Sequence, residues 1–203
     1  MIEDIKYSEK EISIFSGLID LMKNGANPYS IKVSDIAIAS NVGKGTIYDY
    51  FDSKEEAISK AIIYNINNEI KVGYARINSK EGFKDKFYEI LHIIEDNWRN
   101  NLSTFNMLLS AGGIQEFYEY LIDDEYDLSR CLSIINSIIN ELLELGNKEG
   151  VINSTESKYY QIMAVQGSIS GFTHYISRKS LYKDINIEEA MDTAYSLLIK
   201  SLN

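Results

Sequence analysis

Apolar residues recur at three- and four-residue steps along most of the chain, the spacing that keeps them on one face of an α-helix. Ile12, Phe15, Ile19 and Met22 form the first such face. Ahead of it, Ser8 and Glu11 have the serine-to-glutamate spacing of a capping box, and Gly25 follows as a helix stop. Pro28 falls in the next turn. Two short helices are expected at about 33–40 and 44–50, and Ser53 and Glu56 repeat the capping spacing ahead of a long helix to about 78. Ala57, Ile58, Ala61, Ile62 and Ile66 give that helix its apolar side. Further helices are expected at 81–100, 103–110, 114–149, 154–177 and 187–202, with a possible break at 123–127. No segment alternates with the period of a strand, so the expectation is an all-α fold of about nine helices.

The stretch from Val33 to Phe51 carries the most specific local arrangement. Ile36 and Ile47 face a core, Val42 fills the angle between the two short helices, and the small Ala37 lets them approach. Asn41 falls at the turn, where a left-handed backbone is wanted and asparagine tolerates it. This is the chemistry of a helix-turn-helix. Its second helix presents Lys44, Thr46, Tyr48 and Tyr50, a cation and three hydroxyl donors suited to phosphate, and Gly45, where the backbone can come close.

Charge cuts the other way. The 203 residues carry 20 Lys/Arg against 30 Asp/Glu, a net charge of −10. Residues 1–60 hold seven and ten, net −3, and the remainder 13 and 20, net −7. Such a chain is no general coat for nucleic acid, and a specific reader must work through a few placed cations. One cysteine, Cys131, excludes an intrachain disulfide, and two histidines exclude an imidazole–thiolate zinc cluster. No nucleophile elbow, phosphate loop or zinc-protease helix occurs, so neither an enzyme nor a cofactor is expected. The first residues lack a signal-peptide pattern and no membrane-length apolar run occurs, so a cytoplasmic protein with no membrane partner is expected.

Asp35-Ile36-Ala37, then the run from Val42 through Lys44, Gly45, Thr46, Ile47, Tyr48, Asp49 and Tyr50 to Phe51, then Ser53-Lys54-Glu55-Glu56, together resemble the DNA-binding signature of TetR-type transcriptional regulators. The resemblance is dense over about 11–61 and rests on length and helical layout beyond that. It implies a helix-turn-helix domain at 1–52 and a helical ligand-binding and dimerisation domain at 53–203. It further implies a homodimer that binds a near-palindromic double-stranded operator as a repressor and is released by a small-molecule effector. By position, Lys44, Thr46, Tyr48 and Tyr50 would contact DNA and Lys54 would hold a phosphate. Asp49 stands where the family often has histidine or another polar residue. An acid there either points away from the backbone or accepts from a cytosine amino group. Lys32 stands where a hydroxyl cap is common.

In the C-terminal part, Trp98, Phe105, Met107, Phe117, Tyr118 and Met163 are candidates to line an effector cavity. His92, Gln166 and His174, polar residues on apolar faces, join them, while Glu89, Glu95 and Asp96 would suit a cationic effector. Ala164, Gly167, Ser168 and Gly171 form a smooth patch on the penultimate helix. Ala190, Met191, Ala194 and Leu197 form a stripe on the last, and together they are the expected dimer interface. The alternative is a helical ligand-binding or interaction module that no longer reads DNA.

Overall fold

The computed structural model describes residues 6–99 and 128–203, and helix is the only regular secondary structure among them. The helices are α1 (Glu9–Lys23), α2 (Val33–Ala39), α3 (Lys44–Tyr50), α4 (Lys54–Asn78), α5 (Phe83–Arg99), α6 (Leu128–Lys148), α7 (Lys158–Ser177) and α8 (Ile187–Ser201). The expected helix at 103–110, the residues 114–127 and the possible break at 123–127 lie outside the described residues. The described chain divides into two compact units, one up to Asn68 and one from Glu69. Helix α4 supplies residues to both.

In the first unit the caps form as the spacing demands. The Ser8 hydroxyl accepts from the Glu11 N–H at 3.3 Å, and the Glu11 carboxylate accepts from the Ser8 N–H at 2.7 Å. At α4 the arrangement is shifted by one residue. Ser53 Oγ accepts from the Glu56 N–H at 3.1 Å, while the Glu56 carboxylate takes the Asp52 N–H at 2.6 Å. Glu56 also pairs with Lys60 at 2.5 Å, one helical turn on. Burial by itself pushes the Glu56 carboxyl up, but Lys60 and the N–H groups of Asp52 and Ser53 outweigh it, so it titrates below its ordinary 4.5.

The core of this unit is aromatic and branched. Phe15 packs on Phe51 at 5.8 Å and on Tyr64 at 5.2 Å between ring centroids, which ties α1 to the residue ending α3 and to α4. Helix α1 crosses α2 at Gly17, where a Cβ would lie 2.8 Å from the Ser40 nitrogen. Only hydrogen fits there, and nothing in the apolar pattern marked that crossing.

The second unit packs α5, α6, α7 and α8 around Phe83, Phe87, Leu91, Leu142, Phe172 and Leu198. Helix α5 starts two residues later than its periodicity suggested. Gly82 is left-handed (φ 81°), and the Phe83 N–H is capped at 2.9 Å by Glu149, which lies just beyond α6. Helix α7 starts at Lys158 rather than near 154, because Ser157 is the cap, accepting from the Tyr160 N–H at 3.2 Å. The second half of α4 is held by Arg76, which donates to Glu89 at 2.7 Å and Asp96 at 2.9 Å, with Lys80 3.3 Å from Glu89.

Two measurements check these contacts. Gly17→Ala forces backbone apart and is expected to destabilise the protein by roughly 1–3 kcal/mol in urea unfolding; wild-type stability would contradict the crossing. Because the folded Glu56 pKa is depressed, its contribution is present above the ordinary 4.5 and is lost as pH falls through and below that value. Glu56→Gln is therefore expected to flatten the acid limb of the stability profile, and an unchanged limb would show that Glu56 contributes nothing to it.

Candidate nucleic-acid interface

The turn between α2 and α3 forms because one residue accepts a left-handed backbone. Asn41, at φ 52°, is the only such non-glycine among the described residues. With it in place, the Val42 N–H reaches the Ala37 carbonyl at 3.0 Å and the Asn41 N–H reaches Ile38 at 3.2 Å. These are the paired bonds of a Schellman stop, and they fix where α3 begins. Ser13 of α1 donates to the Ser40 carbonyl at 2.9 Å, and the Ser40 hydroxyl donates to the Ile36 carbonyl, which adds two side-chain bonds to the end of α2. At its start, Lys32 supplies no side-chain cap. Instead Asp35 turns back to accept the Lys32 N–H at 3.0 Å.

Helix α3 is held by one face. Ile47 is 1% exposed and Phe51, one turn on, 2%. Burying two such side chains contributes about 3–6 kcal/mol, which no rotation of α3 can keep. The remaining residues are thereby turned outward. Lys44 and Tyr48 share a flank one turn apart, and Tyr48 is 58% exposed. Thr46 and Tyr50 share the other flank, Thr46 half-buried and Tyr50 exposed. Gly45 and Asp49 lie on the side away from Ile47, both exposed, with none of the described residues within 4 Å of where a Gly45 Cβ would stand. The first unit thus brings together Lys44, Gly45, Thr46, Tyr48 and Tyr50 on one short helix. Lys54 opens the next helix, where its ammonium lies 3.5 Å from the Glu55 carboxylate.

The C-terminal candidates do not converge in the same way. His92, Trp98, Met163, Gln166 and His174 are all exposed, so the premise that the polar three are buried on apolar faces fails. Each lies on the outer side of a helix whose apolar positions point inward. Phe105, Met107, Phe117 and Tyr118 lie outside the described residues. Of the acids thought to suit a cation, Glu89 and Asp96 are already paired, Asp96 with Arg76 and Glu89 with both Arg76 and Lys80, and Glu95 is buried 3.8 Å from His92. His174 borders an open groove of about 220 Å³ with Gly171, Tyr175, Tyr182, Ala194 and Leu197.

The small-residue patch also divides. Ser168, Ala190, Met191 and Ala194 are buried where α7 and α8 pack together within the subunit, and Ala164 is half-buried. Gly167, Gly171 and Leu197 remain exposed, beside Tyr160 and Met163. Among the described residues no group of three or more His, Cys, Asp or Glu could hold a metal, and no helix is long and apolar enough to cross a membrane.

Comparison with known proteins matches this geometry. Residues 26–64 match the profile of the bacterial regulatory proteins, tetR family. No curated protein matches the sequence. Among solved structures, the fatty acid degradation regulator FadR of Bacillus halodurans aligns with a TM-score of 0.65 at 15% identity, covering 96% of each chain. FadR of Bacillus subtilis in complex with stearoyl-CoA aligns at 0.62 and 18%, covering 95% of this chain and 97% of that one. Reduced NemR of E. coli aligns at 0.66 and 12%, covering 96% and 98%. The chain therefore resembles the tetR family of bacterial regulatory proteins over residues 26–64 and shares the fold of these solved regulators.

Proposed function

We propose that the protein is a cytoplasmic homodimeric repressor that binds a near-palindromic operator and is released by a small molecule held in its second unit. The observation that carries the DNA-binding reading is the anchored α3, with Ile47 and Phe51 inside and Lys44 and Tyr48 outside. Lysine neutralises a phosphate, and the tyrosine and threonine hydroxyls donate to phosphate oxygens. With so few cations on an acidic chain, binding depends on placed donors more than on a general positive field. The domain reading follows the same logic, residues 1–52 reading DNA and 53–203 binding effector and partner, with α4 the lever shared between them.

For the dimer, α7 supplies the surface. Tyr160, Met163, Gly167 and Gly171 recur at helical spacing on its exposed side, and Leu197 of α8 lies open at 52%. A Cβ at either glycine would meet nothing within 4 Å, which leaves room for a second copy. A two-fold pair would set its recognition helices about one DNA turn, roughly 34–36 Å, or a multiple apart. The effector must prefer the non-binding state by several kcal/mol to release the operator fully. The stearoyl-CoA complex of the B. subtilis relative makes an acyl-CoA the first effector class to test.

Gel shifts with DNA from upstream of the gene test the first part. A specific complex is expected, with a slope of log Kobs on log[salt] of about −4, from roughly four neutralised phosphates per dimer. The Lys44→Ala/Tyr48→Ala double variant is expected to lose the complex while keeping its fold. No specific complex with any such fragment, or wild-type binding by the double variant, would overturn the reading. Sedimentation velocity tests the second part. The wild type is expected to run as a dimer and Leu197→Glu as a monomer without operator binding, and a monomeric wild type would contradict the α7 surface.

A further inference from the structure

One charged group on the recognition helix has no part in the function proposed so far. Asp49 is exposed, and it makes no hydrogen bond or ion pair among the described residues. It lies two residues, about 200° round the helix, from the buried Ile47, on the side opposite that residue. Gly45 stands one turn before it on the same side, with open space where its Cβ would be. The outermost stripe of α3 is therefore bare except for one carboxylate. Lys44 and Tyr48 occupy the flank, where phosphates are met.

A carboxylate carried into a DNA groove has two requirements. It must stay clear of phosphates, which repel it, and it must find donors to replace the water it loses. The floor of the major groove holds two amino donors, adenine N6 and cytosine N4. Adenine sets an N7 acceptor beside its amino group, which suits an amide side chain better than a carboxylate. Cytosine offers the amino donor with no acceptor on its own major-groove edge.

We propose that Asp49 reads a cytosine in each operator half-site, its carboxylate accepting from the N4 amino group in the major groove. The inference rests on the DNA-binding reading above. It also turns an apparent liability into a selectivity device. The acid weakens binding to every duplex through repulsion, and it recovers that loss only where the amino group is present.

Selection of duplexes from a random pool by the wild type, Asp49→Ala and Asp49→Asn tests it, with affinities measured on the selected and on unrelated DNA. For the wild type, one position per half-site is expected to be a C·G pair, preferred roughly tenfold over other pairs. With Asp49→Ala that single position becomes degenerate while the rest of the motif persists, and affinity for unrelated duplex rises several-fold as the repulsion disappears. With Asp49→Asn the same position shifts towards adenine, whose N6 and N7 match an amide. If Asp49→Ala selects the wild-type motif, or loses affinity equally on all duplexes, the proposal is overturned and the regulator reading stands. If the wild type enriches no motif, that reading fails and the proposal with it.

Discussion

The burial of Ile47 and Phe51 against the α1–α4 core is the constraint on which the rest depends. Helix α3 is only seven residues long, too short to be stable on its own. It exists because two side chains one turn apart are taken out of water, with Phe51 packed on Phe15. Those two contacts fix its rotation about its own axis, and the Asn41 turn fixes its starting point. Once both are set, the choice of outward residues follows from helical geometry alone. Lys44 and Tyr48 on one flank, Thr46 and Tyr50 on the other, and Gly45 and Asp49 between them are consequences of where the apolar pair sits.

This explains why so much of the first unit was readable in advance. Capping serines, an asparagine at a left-handed turn and apolar residues at helical spacing are local signals, and local chemistry decides them. Helices α2 and α3 lie where periodicity put them, within a residue. What could not be read were features that depend on distant chain. The start of α5 is set by Glu149, far along the sequence, and the α1–α2 crossing by the contact of Gly17 with Ser40. Lys32 looked like a defective cap, but the helix solves the problem from the other side, through Asp35.

The second unit was legible as helices and less so as a site. Of the apolar residues at helical spacing along α5, Phe83, Phe87, Ile90, Leu91 and Ile94 are buried and Trp98, nearest its end, is exposed. Periodicity cannot say which helix a stripe packs against, and on the strength of the family resemblance Ala190, Met191 and Ala194 are expected at the dimer surface. In the structure they are interior, and the open surface passes to Gly167, Gly171 and Leu197. Likewise Glu89 and Asp96 looked available for a cation until the fold brought Arg76 onto both. A charged residue's partner is a tertiary fact, and its absence nearby in sequence says little.

Net charge, the feature that spoke against nucleic acid, acquires a different meaning in this setting. A protein of net −10 gains little from long-range attraction to DNA, so affinity must come at contact distance and selectivity from the groups placed there. The most direct test of that account is a hydroxyl-radical footprint of the protein on DNA from upstream of its own gene. Two protected patches on one face of the duplex, centred one helical turn or a multiple apart and abolished when Lys44 and Tyr48 are both replaced by alanine, are the predicted result. Uniform protection, or none, would contradict it.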